Sequence, residues 1–119
     1  MRCRVPRIRS FPFLVSPKAK ILILGSMPGE RSLKERQYYA HPQNLFWEIM
    51  GDLFGAGRQR PYPERLRILN RRRVALWDVA FECHRKGSLD AAIRSVTPND
   101  FASLFSRGPQ IDTIFFNGH

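Results

Sequence analysis

Three short apolar runs set the strongest limit on what this chain can fold into: KAKILILG (Lys18–Gly25), VALWDVA (Val74–Ala80) and IDTIFF (Ile111–Phe116). None alternates polar with apolar residues, which is the pattern of strands covered on both faces. The stretches between them carry helical signals. Ser26 to Tyr39 reads as a loop with one helical turn near Ser32–Arg36. Pro42 to Gly51 opens a helix, with Phe46, Trp47, Met50 and Leu53 at helical spacing. After a break from Gly55 to Pro61, Pro63 to Arg72 reads as a second helix with Leu66, Ile68 and Leu69 inward. Ser88 is a plausible cap for a helix over Leu89–Ser95, and Pro98–Ser106 reads as another with Asn99 or Thr97 near its start. Strands alternating with helices predict an α/β domain with a parallel, covered sheet. Three strands are few for such a sheet, so the sequence is expected to be incomplete at its C-terminus.

A chain of 119 residues is enough for one small domain, and 43% hydrophobic residues suffice for a packed core. No apolar run approaches the ~20 residues that span a bilayer, and the basic start lacks the apolar core of a signal peptide. The expected protein is soluble and cytoplasmic, with no membrane association. Residues 1–17 are basic and hold Pro6, Pro12 and Pro17, so they read as a loosely ordered lead-in to a domain over residues 18–119. Cys3 and Cys83 form no CxxC pair, which excludes a four-cysteine metal or cluster site within the chain. The net charge is +10, with Arg71, Arg72 and Arg73 in one run and no acid in the first 20 residues. An excess of this size points to a polyanion partner, nucleic acid ahead of acidic membrane.

Each apolar run ends in a polar group or a turn. Gly25-Ser26-Met27-Pro28-Gly29 follows the first: its glycines allow close backbone approach, and its N–H groups suit a phosphate or the electron-rich edge of a base. It lacks the GK[ST] ending of a P-loop and the GxGxxG of a dinucleotide fold. Asp78 closes the second run, where a buried carboxylate needs a partner or a role. Asn117-Gly118 closes the third. Between the first two lies Tyr38-Tyr39-Ala40-His41-Pro42-Gln43-Asn44-Leu45-Phe46-Trp47. Phe46 and Trp47 fit packing, but the whole segment also offers the aromatic faces and amides that an extruded nucleobase requires.

Together these stretches resemble the hypoxanthine-DNA glycosylases of the uracil-DNA glycosylase superfamily. The resemblance rests on GSMPGERSL (Gly25–Leu33), QYYAHPQNLFW (Gln37–Trp47), ALWDV (Ala75–Val79), GSLDAAIR (Gly87–Arg94), PNDF (Pro98–Phe101) and FNG (Phe116–Gly118), in that order. It runs from about Lys18 to the end of the sequence. It implies a three-layer α/β/α sandwich with a parallel sheet, and removal of a deaminated base from DNA without a metal or cofactor. Members of the family continue past the FNG strand into a helix, a strand and a Ser-Pro loop that enters the minor groove, which this sequence does not reach.

By that resemblance the catalytic candidates are Asn44, which would orient the attacking water, and Ser26, which stands where many relatives carry an Asp, Glu or Asn. The base-binding candidates are Met27, Pro28, Gly29, Tyr39, His41, Phe46, Asp78 and Asn117. Phe46 corresponds to the aromatic that stacks on the base. Asp78 stands where relatives place an Asn; an ionised Asp has no N–H to donate, which favours a different base edge. The implied partner is double-stranded DNA containing hypoxanthine or uracil, bound by a monomer at the nucleoid. Three alternatives stand beside this reading: a non-catalytic DNA-binding remnant of the same fold, a free-nucleotide-binding α/β protein, and a plain interaction module.

Overall fold

The computed structural model describes residues 5–117. Residues 1–4 and the pair Gly118-His119, among them Cys3 of the lead-in and the Gly of the FNG motif, lie outside the described residues. The first apolar run forms β2 (Ile21–Gly25), the second forms β3 (Val74–Asp78), and the third forms β6 (Thr113–Phe116). They pair in parallel in the order β3-β2-β6, with Gly25 beside Asp78 and Leu24 beside Phe116.

Alternate residues of this sheet feed two cores, as the pleat requires. Ile23, Val74 and Leu76 pack on Phe46, Trp47 and Met50 of α2 (Phe46–Phe54) and on Ile68 and Leu69 of α3 (Tyr62–Arg71). Leu22, Leu24, Ala75 and Trp77 face the other way, onto Leu104 and Phe101 of α4 (Phe101–Arg107), with Phe13 and Val15 beside them. Helices therefore cover both faces of β2 and β3, the expected α/β/α arrangement, whereas the third apolar run, expected to be covered as well, is exposed along the whole of β6 at the sheet edge.

Three expectations are corrected. The lead-in is not loose: β1 (Arg7–Arg9) pairs with β4 (Ala80–His84), Leu14 bridges Leu76, and Trp77 Nε1 donates to the Phe11 carbonyl at 2.9 Å. The stretch expected as a helix over Leu89–Ser95 is a single 3₁₀ turn, Asp90–Ala92, followed by β5 (Arg94–Pro98), which pairs antiparallel with β4. Pairing with β4 satisfies the backbone groups on one side of this edge strand, where a two-turn helix would gain little. Third, the cap of α4 is Asp100, which accepts from Ser103 N–H, and neither Asn99 nor Thr97. Asn99 is buried and works elsewhere: its side-chain amide donates to the Asp78 and Ala80 carbonyls at 2.7 and 3.0 Å. It latches the corner at Val79, where the second apolar run leaves the parallel sheet for the antiparallel one.

Candidate active site

The polar strand ends converge. Gly25 sits at the end of β2, registered against Asp78 at the end of β3. A methyl group added at Gly25 would lie 2.5 Å from Asp78 Oδ1 and 3.1 Å from the Tyr39 hydroxyl. Only a residue without a side chain admits both groups at this point. Tyr39 reaches it from the loop after α1 (Glu30–Glu35) by adopting φ 54°, a left-handed conformation that a tyrosine takes only when its surroundings enforce it. Asn117 joins from β6's end, where its N–H donates to the Leu24 carbonyl at 2.7 Å.

Burial dominates the electrostatics of this cluster. Asp78 is 3% exposed, and among the described residues its Oδ2 has no hydrogen-bond partner; the Tyr39 hydroxyl is buried too, beside the Asn117 side chain. Desolvation, reinforced by Asp90 and opposed by Arg85, pushes the Asp78 carboxyl up to about 7. Burial likewise raises the Tyr39 hydroxyl, an effect that Asn117 opposes and Asp78 reinforces.

The aromatic loop is held by its backbone. Asn44 Oδ1 accepts from the Phe46 N–H at 2.9 Å and so starts α2, and His41 Nδ1 accepts from the Gln43 N–H at 3.1 Å. Trp47 Nε1 donates to the Tyr38 carbonyl, and Ser32 Oγ accepts from the Ala40 N–H. Arg58 closes the loop from outside, its guanidinium donating to the carbonyls of Tyr39, Ala40, His41 and Asn44 at 2.7–3.4 Å. The Phe46 ring is buried and stacks on Tyr39 with centroids 4.1 Å apart. His41 is exposed and Asn44 half-buried at the rim.

The Ser26–Gly29 turn lies on the other flank of the cluster. The Ser26 carbonyl accepts from Ala80 N–H at 3.1 Å. The Met27 side chain is buried against Ala80 and Cys83, so only its backbone can serve a ligand. Gly29 is followed by α1, whose first N–H, on Glu30, donates to Ser88 Oγ at 2.8 Å. Beneath the turn, Arg85 donates through Nη2 to the Pro28 carbonyl. A groove of about 480 Å³ lined by Phe11, Leu33, Arg36, Tyr38, Tyr62 and Leu66 borders the loop but includes none of Gly25, Tyr39, Asp78 or Asn117.

Among the described residues no three His, Cys, Asp or Glu side chains stand together as a metal site. Of the basic residues, Arg7, Arg9, Arg31 and Arg60 form the ion pairs found there, leaving most of the positive surface free for an anionic partner. No helix of the described residues is long and apolar enough to cross a membrane. The sequence pointed to Gly25, Tyr39, Asp78, Phe46 and Asn117, which meet. It gave no sign of Arg58, Arg85 or Asn99: each lies in a basic or polar stretch, and only the fold reveals its carbonyl partners.

Comparison with known proteins places the chain in a family. The family profile of the Uracil DNA glycosylase superfamily matches residues 12–107. A hypoxanthine DNA glycosylase from Methanosarcina barkeri is 38% identical over 111 residues, covering 92% of this chain and 70% of that protein. One from Methanosarcina acetivorans is 39% identical over the same shares. A solution NMR structure from Methanosarcina acetivorans, provisionally described as a uracil DNA glycosylase, superimposes with a TM-score of 0.83 at 36% identity, covering 96% of this chain and 71% of that one.

Proposed function

Because this chain belongs to the uracil DNA glycosylase superfamily, we propose that it is a base-excision glycosylase that hydrolyses the N-glycosidic bond of hypoxanthine, and secondarily of uracil, in double-stranded DNA. The observation that supports this most directly is the meeting of Gly25, Tyr39 and Asp78 around buried polar atoms that have no partner among the described residues. Buried groups of this kind are normally satisfied, so they mark a place built for a ligand's polar edge. Hypoxanthine presents an N–H donor and a carbonyl acceptor side by side on its Watson–Crick edge. Ionised Asp78 accepts from the N–H, and the backbone N–H groups of the Met27–Gly29 turn meet the carbonyl. Adenine carries the reverse pattern and leaves Asp78 facing a lone pair, which costs the buried carboxylate its only partner.

Cleavage places positive charge on the sugar and negative charge on the departing base. Asn44 at the loop rim orients the water for attack at C1′, with the Ser26 hydroxyl as a second candidate for holding it. The turn's N–H groups stabilise the charge that develops on the base oxygen. Tyr39, with Phe46 behind it, gives the extruded base an aromatic face, while His41 and Asn117 bound the entrance. Unpaired arginines and lysines hold the phosphate backbone. The acting form in this reading is a monomer in the cytoplasm, at the nucleoid.

Duplexes carrying one deoxyinosine or one deoxyuridine, incubated with the protein and then cleaved at abasic sites, test the reading. Release of hypoxanthine, lost on Asn44→Ala while DNA binding persists, is the expected result. Tight binding to all duplexes without release of any base would leave a DNA-binding protein and overturn the catalytic reading.

A further inference from the structure

Arg85 has the least explained surroundings in the molecule. It follows β4, is 2% exposed, and pairs with no carboxylate within 4 Å. Among the described residues its Nε and Nη1 are buried without partners, and its one side-chain hydrogen bond runs to the Pro28 carbonyl. Its own N–H donates to the Pro6 carbonyl at 3.0 Å, so the backbone is fixed as well. A buried, unpaired guanidinium costs several kcal/mol unless something compensates. An apolar side chain of that size would fill the space with no such cost, so packing alone does not account for it.

We propose that Arg85 is the positioning residue of the glycosylase site: a buried cation, it holds the Ser26–Gly29 turn from behind through the Pro28 carbonyl. This inference rests on the glycosylase reading above. The turn bears the N–H groups assigned to the base carbonyl, and Arg85 fixes where that turn stands. The charged and titratable groups around Asp78 are Tyr38 and Tyr39 from the aromatic loop, Asp90 from the 3₁₀ turn, and Arg85. Of these four, Arg85 alone favours the ionised carboxylate. Its removal therefore leaves Asp78 with burial and Asp90, both of which favour the proton.

The test measures single-turnover release of hypoxanthine from pH 5.5 to 9 by wild type, Arg85→Met and Arg85→Lys, with folding checked by circular dichroism. The expected result for Arg85→Met is a rate lower by on the order of 10²-fold at neutral pH, as for a displaced reactive group. The midpoint of its pH profile should also rise by about one unit. Arg85→Lys keeps the cation but loses the forked donor, so its midpoint stays near wild type while its rate falls. An Arg85→Met that folds with the wild-type rate and midpoint overturns the proposal. Should Arg85→Met not fold, a wild-type rate in Arg85→Lys overturns it instead. Should the wild type release no base at all, the glycosylase reading fails separately. The Asp78 carboxyl, titrated by NMR in wild type and variant, then decides on the coupling alone: an unchanged midpoint in Arg85→Met, or in Arg85→Lys one raised as far as loss of the cation predicts, sinks it.

Discussion

The two halves of the candidate site are held in different ways. At the strand ends, Gly25, Asp78 and the Tyr39 hydroxyl are packed closely enough that one added methyl would collide, and two of their polar atoms have no partner. In the loop from Tyr38 to Phe46, nearly every backbone group that matters is taken: Asn44, His41, Ser32, Tyr62 and Arg58 each hold one end of a hydrogen bond. The first half is fixed by the sheet and keeps its polar groups in reserve. The second is fixed by hydrogen bonds of its own and spends them on shape. Recognition of a polar ligand edge thus falls to the strand ends, and the loop's task is to present aromatic surface and Asn44 in a fixed conformation.

Asp78→Asn probes this division most sharply. The folded Asp78 carboxyl titrates at about 7 against an ordinary 3.8. Between those values the folded state holds a proton that the unfolded state has lost. Wild-type stability therefore falls as pH rises from about 4 to about 7, by on the order of 4 kcal/mol for this group. Asn carries no such penalty. Melting of both proteins from pH 4 to 8 should show the variant gaining on wild type steadily across that interval. A gap that does not change with pH would mean that Asp78 is ionised and satisfied, and the strand-end half would lose its reserve. The same variant should release hypoxanthine with a rate that no longer rises through pH 7.

Gly25→Ala is expected to have the next largest effect. Its methyl meets Asp78 Oδ1 and the Tyr39 hydroxyl at distances that neither buried group can easily yield. Overpacking of this kind costs about 1–3 kcal/mol. Because the collision is with the recognition groups themselves, base release should fall further than stability does. A variant that loses both in proportion would show the strand ends to be ordinary core.

How much of this was readable beforehand follows from the same physics. The parallel sheet was, because strands covered on both faces are continuous apolar runs, and ILILG and VALWD are buried almost throughout; TIFF pairs as expected but is exposed at all four residues. The antiparallel sheet was not. RIR, AFECH and RSVTP are mixed or polar, and all five residues of β5 are exposed, so nothing in their composition separates them from loops. Ser88 as a cap suggested a helix over Leu89–Ser95, and the pairing of β5 with β4 overrode that local preference. At the site, Asp78 and Gly25 stood out because a carboxylate and a glycine at the end of apolar runs are locally anomalous. Arg85 and Asn99 were hidden, since a buried arginine among RKG, or an asparagine before DF, is distinguished only by what the fold brings to it.

Arg58→Met isolates the loop half with the smallest expected loss. Arg58 lies outside the cluster and is exposed, so its removal creates no cavity and strands no buried charge. What it removes is one cation shared by four carbonyls across residues 39–44. The net worth of such exposed bonds is about 1 kcal/mol in all, and melting should drop accordingly little. The loop then keeps its internal bonds and those to Ser32 and Tyr62, but the Asn44 carbonyl loses its anchor. Release of hypoxanthine should fall roughly 10-fold in the single-turnover rate, with binding to deoxyinosine duplex reduced far less, because misplacing a reacting group acts on the rate and not on the phosphate contacts. If instead binding and rate fall together, Arg58 is a DNA contact, and the loop holds its shape without help from outside.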